Sequence, residues 1–380
     1  MEEEKAIVSA PEEDGALGNQ RPNRKKGEAV NLVLRVTGRF LLVMITIVVA
    51  VAATLYITLY LICRGPSVAA RELFVTTFLE TGQMKFVASM FLTREEIDEI
   101  IRRNSMPVIE QEVDPSLIVV AADEPEEDSF DIDGIELIEI SGRTFFAKML
   151  IVNDPSRVKL ATTYPWSEYG MELAELVEKS GAVAGVNGGL YQSDSNKGGR
   201  PIGLAVSQGE IQYNSPEGWA GLYLIGFDYK NILRIIDIEG MSAAELKTLI
   251  EEEGIRDAVA FQEEYSDANN HFVQLIINGE ARMARNLGSG ANPRTAIGQR
   301  ADGAVLLLVT DGRGASGHLG ATAADLISIM TEYGAVNAAN LDGGSSSCMY
   351  YNGQYEMTSV TLYYANSSWR LPTGFVVESR

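Results

Sequence analysis

Histidine, cysteine and tryptophan are scarce in this 380-residue chain: two, two and three residues respectively. Cys63 and Cys348 stand far apart, so no disulfide framework can be drawn, and a cysteine-built metal site lacks material. His271 and His318 are too few for a zinc site of the usual ligands. Positive charge is also short. Thirty-one Lys and Arg face 52 Asp and Glu, for a net charge of −21. Residues 1–39 hold seven of each sign, so the whole excess lies beyond them. A nucleic-acid partner wants a basic face, and this balance argues against one. An anionic substrate would have to be held by local cations and backbone N–H groups, not by the overall field.

What is present begins with one long apolar run. Residues 41–62 carry no charge and are long enough to cross a bilayer as a helix. Arg21, Arg24, Lys25, Lys26, Arg35 and Arg39 precede the run against one nearby acid, Glu28; only Arg64 and Arg71 follow closely. The positive-inside rule predicts a cytoplasmic tail at 1–39, a membrane anchor at 40–63 and the remainder outside. A cleavable signal has a shorter core and small residues at its end, and Leu61-Ile62-Cys63-Arg64 is a poor match. Ile62 is also bulky where a lipid-modified Cys63 would want a small neighbour. The reading is an uncleaved anchor.

Residues 64–105 carry apolar side chains at threes and fours (Phe74, Phe78, Phe86, Met90), and Thr93-Arg94-Glu95-Glu96 looks like a second helix start. This predicts a helical stalk. Residues 106–133 read as an acidic, solvated linker, with ten acids and no Lys or Arg between Glu110 and Asp133. A short strand at 117–120 is the one element expected there.

A compact domain is expected over 134–380. Helices are predicted at 171–179, from Ser242 to Gly254 and from Thr322 to Gly334, the last two opening on capping boxes with Glu245 and Asp325. Each is followed by a short strand. Gln208-Gly209, Asn278-Gly279 and Asn352-Gly353 mark hairpins, and residues 304–309 form a continuous apolar run expected as a buried strand. Helix-to-strand units among hairpins predict an α+β domain with a mixed sheet and packed helices.

Three predicted strand ends carry the same punctuation: Asn187-Gly188-Gly189, Asp311-Gly312-Arg313, and Asn340-Leu341-Asp342-Gly343-Gly344-Ser345-Ser346. Polar side chains at the ends of buried strands are where sites are commonly built, and glycine pairs let a ligand approach the backbone. Arg294 and Arg313 suggest a planar anion held by a guanidinium fork. Asp311 and Asp342 suit glycoside chemistry, in which one carboxylate attacks or activates water and another supplies a proton. His318 is a candidate general acid. His271 and Glu263-Glu264 read as loop, Cys348 as core filling, and Tyr350-Tyr351 and Tyr363-Tyr364 as strand residues before sugar-stacking platforms.

The ordered segments GVNGGLY (185–191), GRPIGLAVSQGEI (199–211), NPRTAIG (292–298), VTDGRG (309–314) and GAVNAANLDGGSSSCMYYNG (334–353) resemble the phosphodiester glycosidase family over roughly residues 134–378. The resemblance implies an extracytoplasmic hydrolase that cleaves a sugar-1-phosphodiester at the anomeric carbon, with a phosphosugar or polysaccharide substrate and an exopolysaccharide-related role. It carries over Asn187, Gly188, Gly189, Arg294, Thr295, Asp311, Gly312, Arg313, Asn340, Asp342, Gly343, Gly344, Ser345 and Ser346. Our assignment among them makes Asp342 the main catalytic carboxylate. Asp311 is its partner or the group orienting Arg313, Arg294 grips phosphate, and Asn187, Asn340 and the glycine turns bind sugar and phosphate oxygens. No cofactor is expected. Two rival classes stay open: a non-catalytic polysaccharide-binding protein, and a divalent-cation phosphodiesterase cutting the P–O bond.

Overall fold

The computed structural model describes residues 23–81, 84–120, 134–192, 196–265, 270–284, 286–358 and 367–380. The tail at 1–22, the second half of the expected linker at 121–133, and Tyr363-Tyr364 lie outside them. The chain divides into two units, 1–61 and 62–380.

In the first unit the described residues form the body of helix α1 (Asn23–Arg64). Its apolar side chains, among them Leu42, Ile45 and Val48, are exposed rather than packed on protein. Length and composition meet the requirement for a single membrane span, a test that a signal sequence near an N-terminus also passes.

The second unit opens with three helices, α2 (Val68–Leu79), α3 (Phe86–Ser89) and α4 (Arg94–Asn104). Thr93 and Glu96 form the expected capping box on α4. Val75, Leu79, Ala88, Leu92, Ile97, Ile100 and Ile101 close a small core between them. The expected helical segment is present, and residues 62–380 form one compact unit. The expected solvated linker is corrected for 106–120. The Ile109 N–H donates to Gln274 Oε1 at 2.8 Å, the Asp114 N–H to Asn278 Oδ1 at 2.8 Å, and the Val119 N–H to the Ala301 carbonyl at 2.8 Å. Glu110, Glu112 and Asp114 face solvent while Met106, Val113 and Ile118 are buried, so the acids mask an apolar inner edge. The strand expected at 117–120 is instead a 3-10 turn, Pro115–Leu117, running into extended chain.

The rest is α+β, as expected. Three sheets share one core. The seven-stranded sheet runs Ile135–Ser141, Phe146–Val152, Val305–Thr310, Arg294–Arg300, Ala335–Asn340, Gln274–Ile277 and Glu280–Ala281. A middle five-stranded sheet runs Leu233–Asp237, Leu222–Asp228, Ile255–Gln262, Gly203–Ser207 and Glu210–Ser215. A C-terminal five-stranded sheet runs Gln354–Thr358, Cys348–Tyr351, Ala182–Asn187, Thr373–Glu378 and Val158–Thr162. Val186, Phe227, Val259, Ile297, Leu307 and Phe375 pack between them. Helices α5 (Leu173–Lys179), α6 (Ala243–Glu252) and α7 (Ala323–Glu332) each cover the outer face of one sheet, through Leu176, Leu246 and Leu326 respectively.

The expectation of mixed strand directions needs correction: among the described strands every ladder within these three sheets is antiparallel. The strand after each helix pairs with neighbours that run against it, so the helix-to-strand units add no parallel pair. Hairpin chemistry held. Asn278-Gly279 and Asn352-Gly353 both take two successive positive φ values (53° and 77°, 48° and 84°), the pattern of a type I′ turn.

Antiparallel pairing sets the site. Arg294 opens its strand opposite Thr310, and Ala296 lies opposite Asn340. The start of one strand and the ends of its two neighbours therefore meet at one edge. Asn187, ending a strand of the C-terminal sheet, reaches the same place through the N–H of Asp342, 3.4 Å from the Gly188 carbonyl.

Candidate active site

Asp342 is half-buried in the turn after Ala335–Asn340. Its Oδ1 accepts the Gly343 N–H at 2.9 Å. Burial raises its pKa to about 6, against the opposing pull of the Ser346 hydroxyl, the Gly343 N–H and Arg313. Ser346 is fixed in turn by the buried Tyr191 hydroxyl at 3.0 Å.

Arg313 lies over this turn and donates from Nη1 to Ser345 Oγ at 2.7 Å. Its Nε is buried without a partner among the described residues. Burial lowers its pKa and Arg294 adds to the fall, while Asp342 and Glu80 oppose it. Gly344 has φ +64°, and a Cβ there would lie 2.6 Å from Arg313 Nη2. Only glycine leaves room for the guanidinium against the turn.

Asp311 does not orient Arg313. Its Oδ1 accepts the Phe146 N–H at 2.7 Å, and its Oδ2 meets His318 Nδ1 at 2.6 Å. The loop turns back through positive φ at Arg313 (53°) and Gly314 (93°), which returns His318 to the carboxylate. Gly312 packs against the backbone of Gly320, where a Cβ would meet atoms at 2.8 Å.

The half of the site around Asn187 is saturated. Asn187 Nδ2 donates to the Asp342 carbonyl at 2.6 Å, and its Oδ1 accepts Thr295 Oγ1 at 2.6 Å and the Cys348 N–H at 3.2 Å. Gly188 and Gly189 are closely packed against neighbouring strands. A Cβ on either would come within 2.4 Å, of Thr373 Oγ1 or the Ala260 carbonyl respectively. Asn340 differs: Nδ2 donates to the Phe272 carbonyl at 3.0 Å, while its buried Oδ1 has no partner among the described residues.

Arg294, expected as the phosphate grip, is held by protein groups in this structure. Nη2 donates to the Gly290 carbonyl at 2.7 Å, to Ser289 Oγ at 3.2 Å and to the carboxylate of Glu80; Nε reaches the Ala321 carbonyl at 3.3 Å. The guanidinium also lies over the Phe272 ring, 5.0 Å from its centroid. Glu80, from the end of α2, is the residue that local sequence reasoning missed.

Of the secondary candidates, Glu263 holds Arg282 through two bonds of 2.7 and 2.9 Å and is structural. Tyr350, Tyr351 and Cys348 are buried, so the tyrosines offer no platform and burial pushes the thiol pKa up. His271 is an inner residue rather than loop: it packs at 5.6 Å from Phe261, and burial lowers its pKa to about 4. Among the described residues no group of three or more His, Cys, Asp or Glu side chains is placed to hold a metal ion.

A model of the phosphodiester glycosidase family matches residues 180–378. The chain belongs to this family. The matched span holds every residue of the site described above except Phe146 and Glu80. The fold agrees with the zebrafish N-acetylglucosamine-1-phosphodiester alpha-N-acetylglucosaminidase catalytic domain, solved in a form auto-inhibited by its pro-peptide. The TM-score is 0.50 at 16% identity, over 65% of this chain and 82% of that one. A hypothetical protein from Synechocystis matches with TM-score 0.40 at 16% identity, over 65% of this chain and 61% of its own. A 64-residue stretch, 17% of the chain, is 44% identical to the SPbeta prophage-derived uncharacterized protein YomE of Bacillus subtilis (strain 168), and spans 10% of that protein. Family membership supports a phosphodiester glycosidase-type hydrolase.

Proposed function

We propose that this protein hydrolyses a sugar-1-phosphodiester at the anomeric carbon, outside the cytoplasm, on envelope or exopolysaccharide glycans. The observation that carries the reading is Arg313, which donates to Ser345 in the turn that carries Asp342 and whose Nε has no partner among the described residues. One group suits a phosphate and the other an electron-poor C1. In this reading the bond between C1 and the phosphate oxygen breaks, and the electron pair leaves on an oxygen that is already part of an anion. Little protonation is needed, so holding the leaving phosphate matters most. Water supplies the oxygen that ends on C1. Above about pH 6 Asp342 is ionised and serves as the carboxylate at C1. Asp311 fixes His318 through Nδ1, leaving Nε2 to carry the displaced proton toward solvent. Asn340 Oδ1 accepts a sugar hydroxyl. The apolar helix at 40–63 anchors the protein, with the basic flank before it in the cytoplasm.

The test uses the full-length protein in detergent and ¹⁸O-labelled water, with a panel of sugar-1-phosphodiesters and a chelator control. Label in the released sugar, abolished in Asp342→Asn, is the expected result. Label in the phosphate would mean P–O cleavage and overturn the reading, and saturable binding without turnover would leave a glycan-binding protein.

A further inference from the structure

The end of α2 lies a hundred residues before the family-matched segment, yet it delivers a carboxylate to the site. Glu80 Oε1 accepts the Gly290 N–H at 2.7 Å. Its Oε2 accepts Asn292 Nδ2 at 2.8 Å and Arg294 Nη2. Thr77, three residues earlier, accepts the Ala291 N–H on Oγ1 at 3.0 Å. Gly290 sits so close to α2 that a Cβ would come within 2.4 Å of the Thr77 backbone. The Glu80 and Arg294 side chains are 3% and 6% exposed. This is a built junction between α2 and the loop 289–293, not a surface ion pair.

The junction reaches the catalytic turn by two short paths. The Pro293 carbonyl, at the end of the clamped loop, accepts the Gly344 N–H at 2.8 Å. Thr295, next to Arg294, donates to Asn187, which in turn donates to the Asp342 carbonyl. The Gly344 end of the turn therefore hangs from backbone of the loop that Glu80 fixes, and the Asp342 end is linked to that loop through the side chains of Thr295 and Asn187. Charge follows the same geometry. Arg294 and Arg313 act on one another unfavourably, and Glu80 acts favourably on Arg313.

We propose that Glu80 is a positioning residue for the phosphosugar site. It binds and neutralises Arg294, holds the turn that carries Asp342, and leaves Arg313 as the cation for the substrate phosphate. The membrane-proximal helices are thus a working part of the catalytic unit. The proposal rests on the functional reading above.

The experiment takes the full-length protein in detergent and compares wild type, Glu80→Gln and the double variant Glu80→Met/Arg294→Met. It measures kcat and KM for a sugar-1-phosphodiester, and the affinity for inorganic phosphate by calorimetry. Glu80→Gln removes a negative charge near Arg313 but keeps the side-chain size. Phosphate should bind roughly three- to tenfold more tightly, while kcat falls roughly tenfold or more as the turn loosens. A merely structural role would not tighten phosphate binding. Unchanged kcat and phosphate affinity in a folded Glu80→Gln would overturn the proposal. A rise in kcat would also overturn it, making Glu80 an internal competitor of substrate. If Glu80→Gln does not fold, the double variant removes both buried charges together. It should still bind phosphate through Arg313, and loss of that binding would overturn the assignment. Absence of turnover in wild type would sink the functional reading alone, because the phosphate measurements still report on Glu80.

Discussion

Asn187 and Asn340 are both buried asparagines at strand ends, and both precede a glycine pair, yet they are used differently. Every polar atom of the Asn187 side chain is spoken for by Asp342, Thr295 and Cys348. Asn340 keeps a buried Oδ1 with no partner among the described residues. The glycines repeat the contrast. Gly188 and Gly189 are needed because sheets approach there, and Gly344 because Arg313 lies on it. So do the arginines, Arg294 being locked to Glu80 while the Arg313 guanidinium donates to the Ser345 hydroxyl. One half of the site is a clasp and the other an opening. Orphaned polar atoms in a native structure ask for an explanation, and a ligand is the one that the proposed function offers.

The sharpest break of that comparison is chemical. Asp342→Asn should lower kcat by roughly 10²–10⁴-fold, the usual contribution of an acid–base group, with little change in KM. An equal loss from Asn187→Ser in a fully folded protein would mean that the clasp half also touches substrate. Next comes the pair of arginines. Arg294→Met leaves the buried Glu80 carboxylate uncompensated, and stability should drop by about 3–5 kcal/mol in denaturant titration. Arg313→Met removes a group without a carboxylate bond among the described residues and should leave stability nearly unchanged. Its effect should appear as a KM rise of roughly tenfold or more, the loss of a charged hydrogen bond. Reversed behaviour of the two would invert the assignment of clasp and opening.

Much of this fold was legible because its signals are local. The capping boxes at Ser242 and Thr322 and the Asn-Gly turns need only a few neighbouring residues, and all formed. The strand ends at Asp311 and Asn340–Ser346 were legible as punctuation after apolar runs. What escaped depends on distant partners. Nothing around Glu80 marks it as the mate of an arginine 214 residues away. Arg294 looked free for the same reason. Residues 106–120 looked solvated because their acids dominate the composition, while Met106, Val113 and Ile118 do the packing. Asp311 seemed poised for Arg313, its near neighbour, until positive φ values in the loop brought His318 back instead.

The two glycine turns should also separate by substitution, with smaller effects. In Gly189→Ala the new Cβ would lie 2.4 Å from the Ala260 carbonyl, a backbone atom that cannot step aside cheaply. The expected loss is about 1–3 kcal/mol of stability, with activity falling only as the folded fraction falls. In Gly344→Ala the nearest atom is the end of the Arg313 side chain. The positive φ costs about 1 kcal/mol, and displacement of the guanidinium should raise KM in protein that is still folded.

The gentlest test uses pH. The folded pKa of Asp342 is raised from 3.8 to about 6 by burial. Between these values the folded state binds more protons at this position than the unfolded state, so stability falls as pH rises from about 4 to about 6. The half-buried carboxylate is therefore a cost that the folded protein carries at neutral pH. Asp342→Asn removes it, and the variant should be more stable than wild type above pH 6, by on the order of 1–2 kcal/mol, with the difference vanishing near pH 4. His271 works in the opposite direction. Its pKa is lowered from 6.5 to about 4, so its contribution is lost as pH falls through that window, equally in wild type and variant. Subtracting the two unfolding curves removes the histidine and leaves Asp342. A difference curve flat from pH 4 to 7 would mean that the carboxyl is not desolvated, and the open half of the site would then owe nothing to burial.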